Sequence, residues 1–206
     1  MSEMNEGQQA RFAARRAEHI MKVGQQGAVV TWRGELNVEP AELERALADG
    51  WDRDGVDGWE VSQVGPGKLL LLPNPNLVVS SGVHISLDRL FAISGPPTQV
   101  RSMGVDDGAA NPVAGTTDST AGSTNRRIVL FDATPTRTAL VVSALGTFTQ
   151  ATVAFTIKRL FLSKAAAGTT DSAGDLYAMT DVFTLDLSAF TTWSQTFEAD
   201  VTGAGS

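Results

Sequence analysis

The sequence predicts a mainly β protein: an antiparallel β-sandwich of jelly-roll or immunoglobulin-like type, preceded by a small α+β N-terminal arm region. Apolar and polar residues alternate with period two in several short runs after residue 100. Turn residues separate these runs, and no helical pattern lies between them, which is typical of a sandwich or barrel. A hydrophobic content of 42% over 206 residues is enough to form a sizeable core.

The clearest β pattern lies in residues 127–164. A first strand is predicted at 128–131, and the turn residues 132–135 interrupt it. A second strand is predicted at 140–145, and Gly146 is expected to end it, because glycine weakens the interior of a strand. A third run is expected to bury one face formed by Val153, Phe155, Ile157 and Phe161.

The β pattern continues on both sides of this stretch. A brief strand is predicted at 100–105, followed by a long loop of small polar residues at 106–125. Further strands are predicted from residue 176 to the C-terminal region, where Trp193 and Phe197 are expected to face the core. The sequence AGTTDS occurs twice, at 114–119 and 167–172, and we interpret both copies as similar surface loops.

The first 72 residues are predicted to form an N-terminal arm and helical region, and residues 73–206 to form the sandwich domain. Residues 6–23 have the spacing of an amphipathic helix, with Phe12, Ile20 and Met21 on one side. Two roles stay open for this helix: the first helix of the core, or an arm that docks on a neighbouring subunit. In the second case, Phe12, Ile20 and Met21 are the predicted assembly contacts.

Shorter elements follow this helix. Residues 28–33 predict a short strand, and 61–72 predict a turn followed by a strand. Between them a helix is expected at 40–48, because Pro40 suits the first turn and Gly50 can adopt the left-handed conformation after the last. A second amphipathic helix is predicted from about residue 83 to 93.

Composition excludes several classes of protein. The net charge of −7 argues against coating nucleic acid, which requires positive charge opposite the phosphates. The absence of cysteine excludes disulfides, thiolate metal sites and cysteine nucleophiles. No run approaches the roughly 20 apolar residues that span a bilayer, and the polar, acidic N-terminus is unlike a signal peptide.

The candidates for chemistry are weak. The acidic loop at 52–57 could suggest calcium, but its spacing lacks the third acid and the distal glutamate of a calcium loop. His19 and His84 have no partners at metal-ligand spacing. Asp106 and Asp107 are adjacent carboxylates in a loop, and we expect them to be solvated. No catalytic residue, metal site or cofactor is therefore predicted.

Four stretches together resemble a family of tailed-bacteriophage virion structural proteins. These stretches are NPNLVVSSGVHISLDRLFAI, VRSMGVDDGAANPVAGTTDST, the strands that end in LFLSK, and LYAMTDVFTLDLSAFTTWSQTFEADV. The resemblance covers residues 73–201. Its motifs are a glycine- and proline-containing loop at 104–112, a late strand at 159–162 and a closing strand that contains Trp193.

The resemblance implies a virion component without enzymatic activity, built on a β-sandwich and present in many copies. Its expected partners are the major capsid protein or other virion proteins, and further copies of itself. No binding to nucleic acid or membrane is expected. The sequence departs from the family at Lys158 and Arg159, where a glutamate often precedes a glycine.

Three functions are compatible with these observations. The first is a minor capsid protein that decorates the head, which is favoured because an N-terminal arm would extend contact over a lattice. The second is a tail, baseplate or fibre-attachment protein. The third is an enzyme or a sugar-binding module that uses Trp51, Trp59 and Trp193 as stacking platforms, although alternation with Phe197 places Trp193 in the predicted core.

Overall fold

The structure, a computed structural model, describes residues 28–73, 76–78, 99–113, 116, 119, 122–138, 141–170, 172 and 175–203. The helices predicted at 6–23 and 83–93 lie outside these residues. The same holds for Phe12, Ile20, Met21 and both histidines, so the predictions made for them stay predictions.

Strands dominate the described residues, with two short helices near residue 50. The helices are α1 (Pro40–Ala48) and α2 (Trp51–Asp54). The strands are β1 (Ala28–Val38), β2 (Val56–Asp57), β3 (Trp59–Gly65), β4 (Lys68–Pro73), β5 (Asn76–Val78), β6 (Ser102–Asp106), β7 (Arg126–Leu130), β8 (Thr136–Thr138), β9 (Val141–Thr149), β10 (Arg159–Ser163), β11 (Leu176–Thr180), β12 (Thr184–Leu185) and β13 (Trp193–Gly203).

These strands form two main antiparallel sheets. The larger sheet has the order β3-β4-β1-β13-β9-β8, and the smaller sheet has the order β5-β11-β10-β6-β7. A two-stranded ribbon joins β12 to β2. One apolar core includes residues of both sheets, such as Trp32 and Phe197 from the larger and Met103 and Leu160 from the smaller. The prediction of a mainly β, antiparallel sandwich is confirmed.

The strand β1 is central to the larger sheet. Its register with β13 runs from Ala28 opposite Gly203 to Val38 opposite Trp193, and its other edge pairs with β4. The strand predicted at 28–33 is therefore longer than expected. Because β1, β3 and β4 all belong to the larger sheet, the sandwich includes residues 28–73. The predicted boundary between residues 72 and 73 falls inside β4, before its last residue.

The prediction that Gly146 ends a strand is wrong. Gly146 lies inside β9, opposite Phe197 of β13. A Cβ atom at this position would lie 3.0 Å from Cβ and 3.1 Å from Sδ of Met103, which belongs to the facing sheet. The glycine therefore lets the two sheets approach each other closely, and the ladder continues through it.

The third predicted run is only partly a strand. β10 begins at Arg159, and all five of its residues are buried, as expected for a strand covered on both faces. Leu160 belongs to the shared core, whereas Phe161 belongs to a second apolar cluster on the other face. Val153 and Ile157 are buried as predicted, but they lie in irregular chain before β10, and Phe155 is only half-buried. The alternation of apolar and polar residues in the sequence therefore begins before the hydrogen-bonded strand β10 does.

The two helices contribute Leu43, Ala46 and Trp51 to the core. Pro40 occupies the first turn of α1, and Gly50 adopts a left-handed conformation at φ 83° directly before α2. The acidic loop predicted at 52–57 thus begins inside a helical turn. Trp51 donates a hydrogen bond from Nε1 to the carbonyl of Asp186 at 2.6 Å, and its ring meets Phe190 edge-on. These contacts fix the helices to the loop before β13.

Candidate functional site

The candidate site lies where the two central segments of the sequence resemblance meet. Residues 104–112 and 159–162 include adjacent antiparallel strands of the smaller sheet, with Arg159 opposite Asp106 and Phe161 opposite Gly104. The ring of Phe161 lies directly against Gly104, where a Cβ atom would stand 2.0 Å from Cζ. The two segments are therefore fitted to each other closely.

Asp106 and Arg159 form a buried ion pair, which we call the ionic anchor. Arg159 donates from Nε to Oδ1 of Asp106 at 2.8 Å and from Nη2 to Oδ2 at 3.1 Å. The two side chains are 0% and 1% exposed. Arg159 also donates to the carbonyl oxygens of Ala110 at 3.0 Å and Ser119 at 3.3 Å. The amide of Gly108 donates to Oδ1 of Asp106 at 2.8 Å.

Gly108 is required by the position of the guanidinium group. A Cβ atom at residue 108 would lie 1.9 Å from Nη2 and 2.1 Å from Cζ of Arg159. The guanidinium cannot move aside without losing the hydrogen bonds that hold it. A glycine at this position therefore belongs to the anchor as much as the two charged residues do.

A second carboxylate holds the other side of the same loop. Asp107 accepts hydrogen bonds from the amides of Thr124 at 2.8 Å and Asn125 at 2.9 Å, and from Nδ2 of Asn125 at 2.7 Å. We call residues 108–113 the first limb of the loop and 122–125 the second limb. The ionic anchor binds the first limb, and Asp107 binds the second.

The two adjacent carboxyl groups have pKa values that shift in opposite directions. Burial raises the pKa of Asp106 above its ordinary value of 3.8, although Arg159, the Gly108 amide and Arg126 act to lower it. Burial also acts to raise the pKa of Asp107, but the hydrogen bonds from Asn125 and Thr124 outweigh this effect and lower it. The cost of burying the charge therefore outweighs the favourable interactions of the carboxylate at Asp106, whereas at Asp107 the hydrogen bonds outweigh this cost.

The expectation that both carboxylates are solvated is wrong for Asp106. Its partner Arg159 was visible in the sequence only as a charge at the start of the apolar run RLFLS. A charged residue beside a buried strand requires a partner, and this requirement was the available signal. The sequence separation of 53 residues between the two gave no indication that Asp106 was that partner.

The tryptophans proposed as sugar-stacking platforms lie in the interior. Trp51, Trp59 and Trp193 are 7%, 9% and 5% exposed, so none offers a ring face to a ligand in solution. Trp59 packs edge-on against Phe183 with ring centroids 4.7 Å apart. The placement of Trp193 in the core is confirmed, and the stacking-platform interpretation is wrong.

The acidic loop at 52–57 is split between α2 and β2. Its residue Asp54 accepts a hydrogen bond from Nε of Arg53 at 3.0 Å, and both side chains are exposed. Within the described ranges, no group of three or more histidine or acidic side chains is arranged to hold a metal ion. Among the same residues, no helix is long and apolar enough to cross a bilayer.

A cavity of about 400 Å³ lies on the outer face of the larger sheet, beneath the segment that connects β7 to β8. The ion pair between Arg33 and Glu198 forms part of its wall. Its floor includes the apolar side chains of Leu70 and Leu145. The cavity can receive a small apolar group, and the charges of Arg33 and Glu198 at its wall pair with each other.

Comparisons of this chain with protein-family models, with curated proteins and with solved structures found no match.

Proposed function

We propose that this protein is a non-enzymatic structural component of a tailed-bacteriophage virion. Its role is that of a minor capsid protein, which decorates the head by binding the shell in multiple copies. One observation supports this proposal above the others. The segments 104–112 and 159–162, which carry the resemblance, pair as β6 and β10 and share the ionic anchor.

The buried polar groups of this site are used to hold a loop in place. The guanidinium of Arg159 and the carboxylate of Asp106 bind each other and the backbone of the first limb. A first limb held by such contacts suits a binding surface, because little ordering of these residues is needed when a partner docks. This use of the charges favours a binding role over a catalytic one.

The first limb presents its outer residues to solvent. Ala109, Ala110 and Asn111 are exposed, and Val113 is 66% exposed. A small-residue surface with one exposed valine suits contact with another protein. The proposed partners are the major capsid protein or other virion proteins, together with neighbouring copies of the same chain in the lattice.

The proposal is tested by finding where the protein resides in purified virions. Virions made from the genome that encodes the chain are separated into heads and tails, and the protein is quantified in each fraction by mass spectrometry. We expect it with the heads, in a ratio to the major shell protein that indicates many copies. Recovery with tails, in the amount of a single ring, would support the alternative of a tail, baseplate or fibre-attachment protein. Absence from both fractions would contradict a virion role.

A further inference from the structure

We propose that the ionic anchor is a conformational device: it selects one arrangement of the first limb and does not supply net stability to the sandwich. This inference concerns the folded chain alone and does not depend on the proposed function. It follows from the position of Asp106 and Arg159 in the strands, from the groups they bind, and from the cost of burying their charges.

The two residues occupy the ends of their strands. Asp106 is the last residue of β6 and Arg159 the first of β10, and the ladder between the strands runs from this pair to Ser102 opposite Ser163. The remaining ladder does not need the pair, because each of its rungs has its own backbone partners. Separation of the two side chains would therefore disturb the loop before it disturbs the sheet.

The contacts that the anchor makes beyond the ion pair go to loop backbone. Asp106 accepts from the amide of Gly108, and Arg159 donates to the carbonyls of Ala110 and Ser119. An apolar pair of similar size would fill the same space but would satisfy none of these groups. The anchor thus supplies specific partners for the first limb and for Ser119, which apolar packing cannot do.

The energetics of the pair argue against a stabilising role. Both side chains are removed from water, and the attraction between buried charges often fails to exceed the cost of removing them. Burial raises the pKa of Asp106 even though Arg159 and Arg126 oppose the shift, which is the sign expected when this cost is the larger effect. Other charged residues next to the pair are Asp107 and Lys158, which adjoin it along the chain, and Arg126, which lies opposite Asp106 in β7.

The second limb supplies an internal control. Thr124 and Asn125 are bound by Asp107, whose side chain makes no hydrogen bond to Arg159 among the described residues. Removal of the ionic anchor is therefore expected to loosen the first limb and leave the second in place.

The experiment compares the full chain with the double variant Asp106→Leu/Arg159→Met by thermal unfolding and by NMR relaxation. We expect the double variant to melt at or above the parent temperature. Its backbone order parameters at residues 108–110 should fall below about 0.6, while residues 124–125 stay near the parent values. Unchanged order at 108–110, a clearly lower melting temperature, or failure of the double variant to fold would each overturn the proposal.

A second variant tests the hydrogen bonds while keeping the charge. Arg159→Lys retains a cation opposite Asp106, but an ammonium group cannot reproduce the planar fork that reaches Ala110 and Ser119. We expect this variant to keep both sheets folded, as shown by unchanged amide signals at residues 102–104 of β6 and 161–163 of β10, and to lose order at 108–110. A first limb as rigid as in the parent would overturn the role assigned to Arg159.

Discussion

The ring of Phe161 lies against the backbone of Gly104 across the β6–β10 pair, and a Cβ atom at residue 104 would stand only 2.0 Å from its Cζ atom. Both residues are fully or nearly fully buried, so the ring has little room to move. The absence of a side chain at residue 104 is therefore a packing requirement in the centre of the smaller sheet.

Gly104→Ala is expected to destabilise the protein by about 1–3 kcal/mol or more, because it overpacks a filled interior. The measurement is the free energy of unfolding in denaturant. Gly65→Ala is the matched control, since a Cβ atom there would be 4.0 Å from the nearest atoms, on Lys68. Equal stability of the two variants would show that Phe161 can move aside.

Arg159→Met alone is expected to cost about 3–5 kcal/mol, because it leaves the Asp106 carboxylate buried without its partner. Arg33→Met is the comparison: it breaks the ion pair with Glu198, whose side chains are 34% and 20% exposed. We expect this second change to cost about 1 kcal/mol or less. A small effect at Arg159 in chemical denaturation would mean that water reaches the anchor.

Asp107→Asn should destabilise the protein in a way that depends on pH. The folded pKa of Asp107 lies below its ordinary value of 3.8, so its ionised form contributes stability above that value. This contribution is lost as the pH falls through the folded pKa. The parent should therefore have the larger unfolding free energy at neutral pH. This difference from the variant should disappear in acid.

The exposed residue Asp52 provides a control for Asp107→Asn. Asp52→Asn should match the parent at neutral pH in the same unfolding measurements. A pH-independent difference for Asp107→Asn would contradict the role given to its charge.

The class of fold was predictable because the period-two alternation after residue 100 reflects strands with one face in the core. The place of β1 in the sheet was not predictable, because the sequence AVVTWR gives a short apolar run that does not indicate which strand pairs with it. That partner, β13, lies more than 150 residues away in the sequence. Gly146 was misread for a related reason: the chain alone does not show that a facing sheet approaches at Met103.

The site was predictable only in part. The segments 104–112 and 159–162 were both singled out, but their contact was not foreseen. Asp106 was expected to be solvated because a short acidic pair among glycines and alanines usually is. Burial of a charge depends on what surrounds it in space, and only the β6–β10 register brings Arg159 within reach.

Truncation tests the place of the N-terminal strands. A fragment of residues 98–206 lacks β1, so the ladder along β13 loses one side and Phe197 loses part of its cover. We expect this fragment to aggregate or to show no cooperative melt by circular dichroism.

A chain that begins at residue 28 keeps every described strand and should fold, which makes it the matched comparison. On the arm hypothesis, this shorter chain no longer binds virions, and neither does the folded double variant Phe12→Asp/Ile20→Asp. A cooperative melt of the 98–206 fragment would contradict the central role of β1.

The measurement that tests the central claim most directly is sedimentation of the purified protein with virions assembled without it. We predict that the parent protein binds these particles to saturation in many copies. Val113→Glu should abolish binding, because it places a charge on the exposed tip of the first limb. Leu130→Glu is the matched control, because Leu130 is 51% exposed and lies at the end of β7. This variant should bind like the parent. Failure of the parent protein to bind, or equal binding by Val113→Glu, would contradict the account.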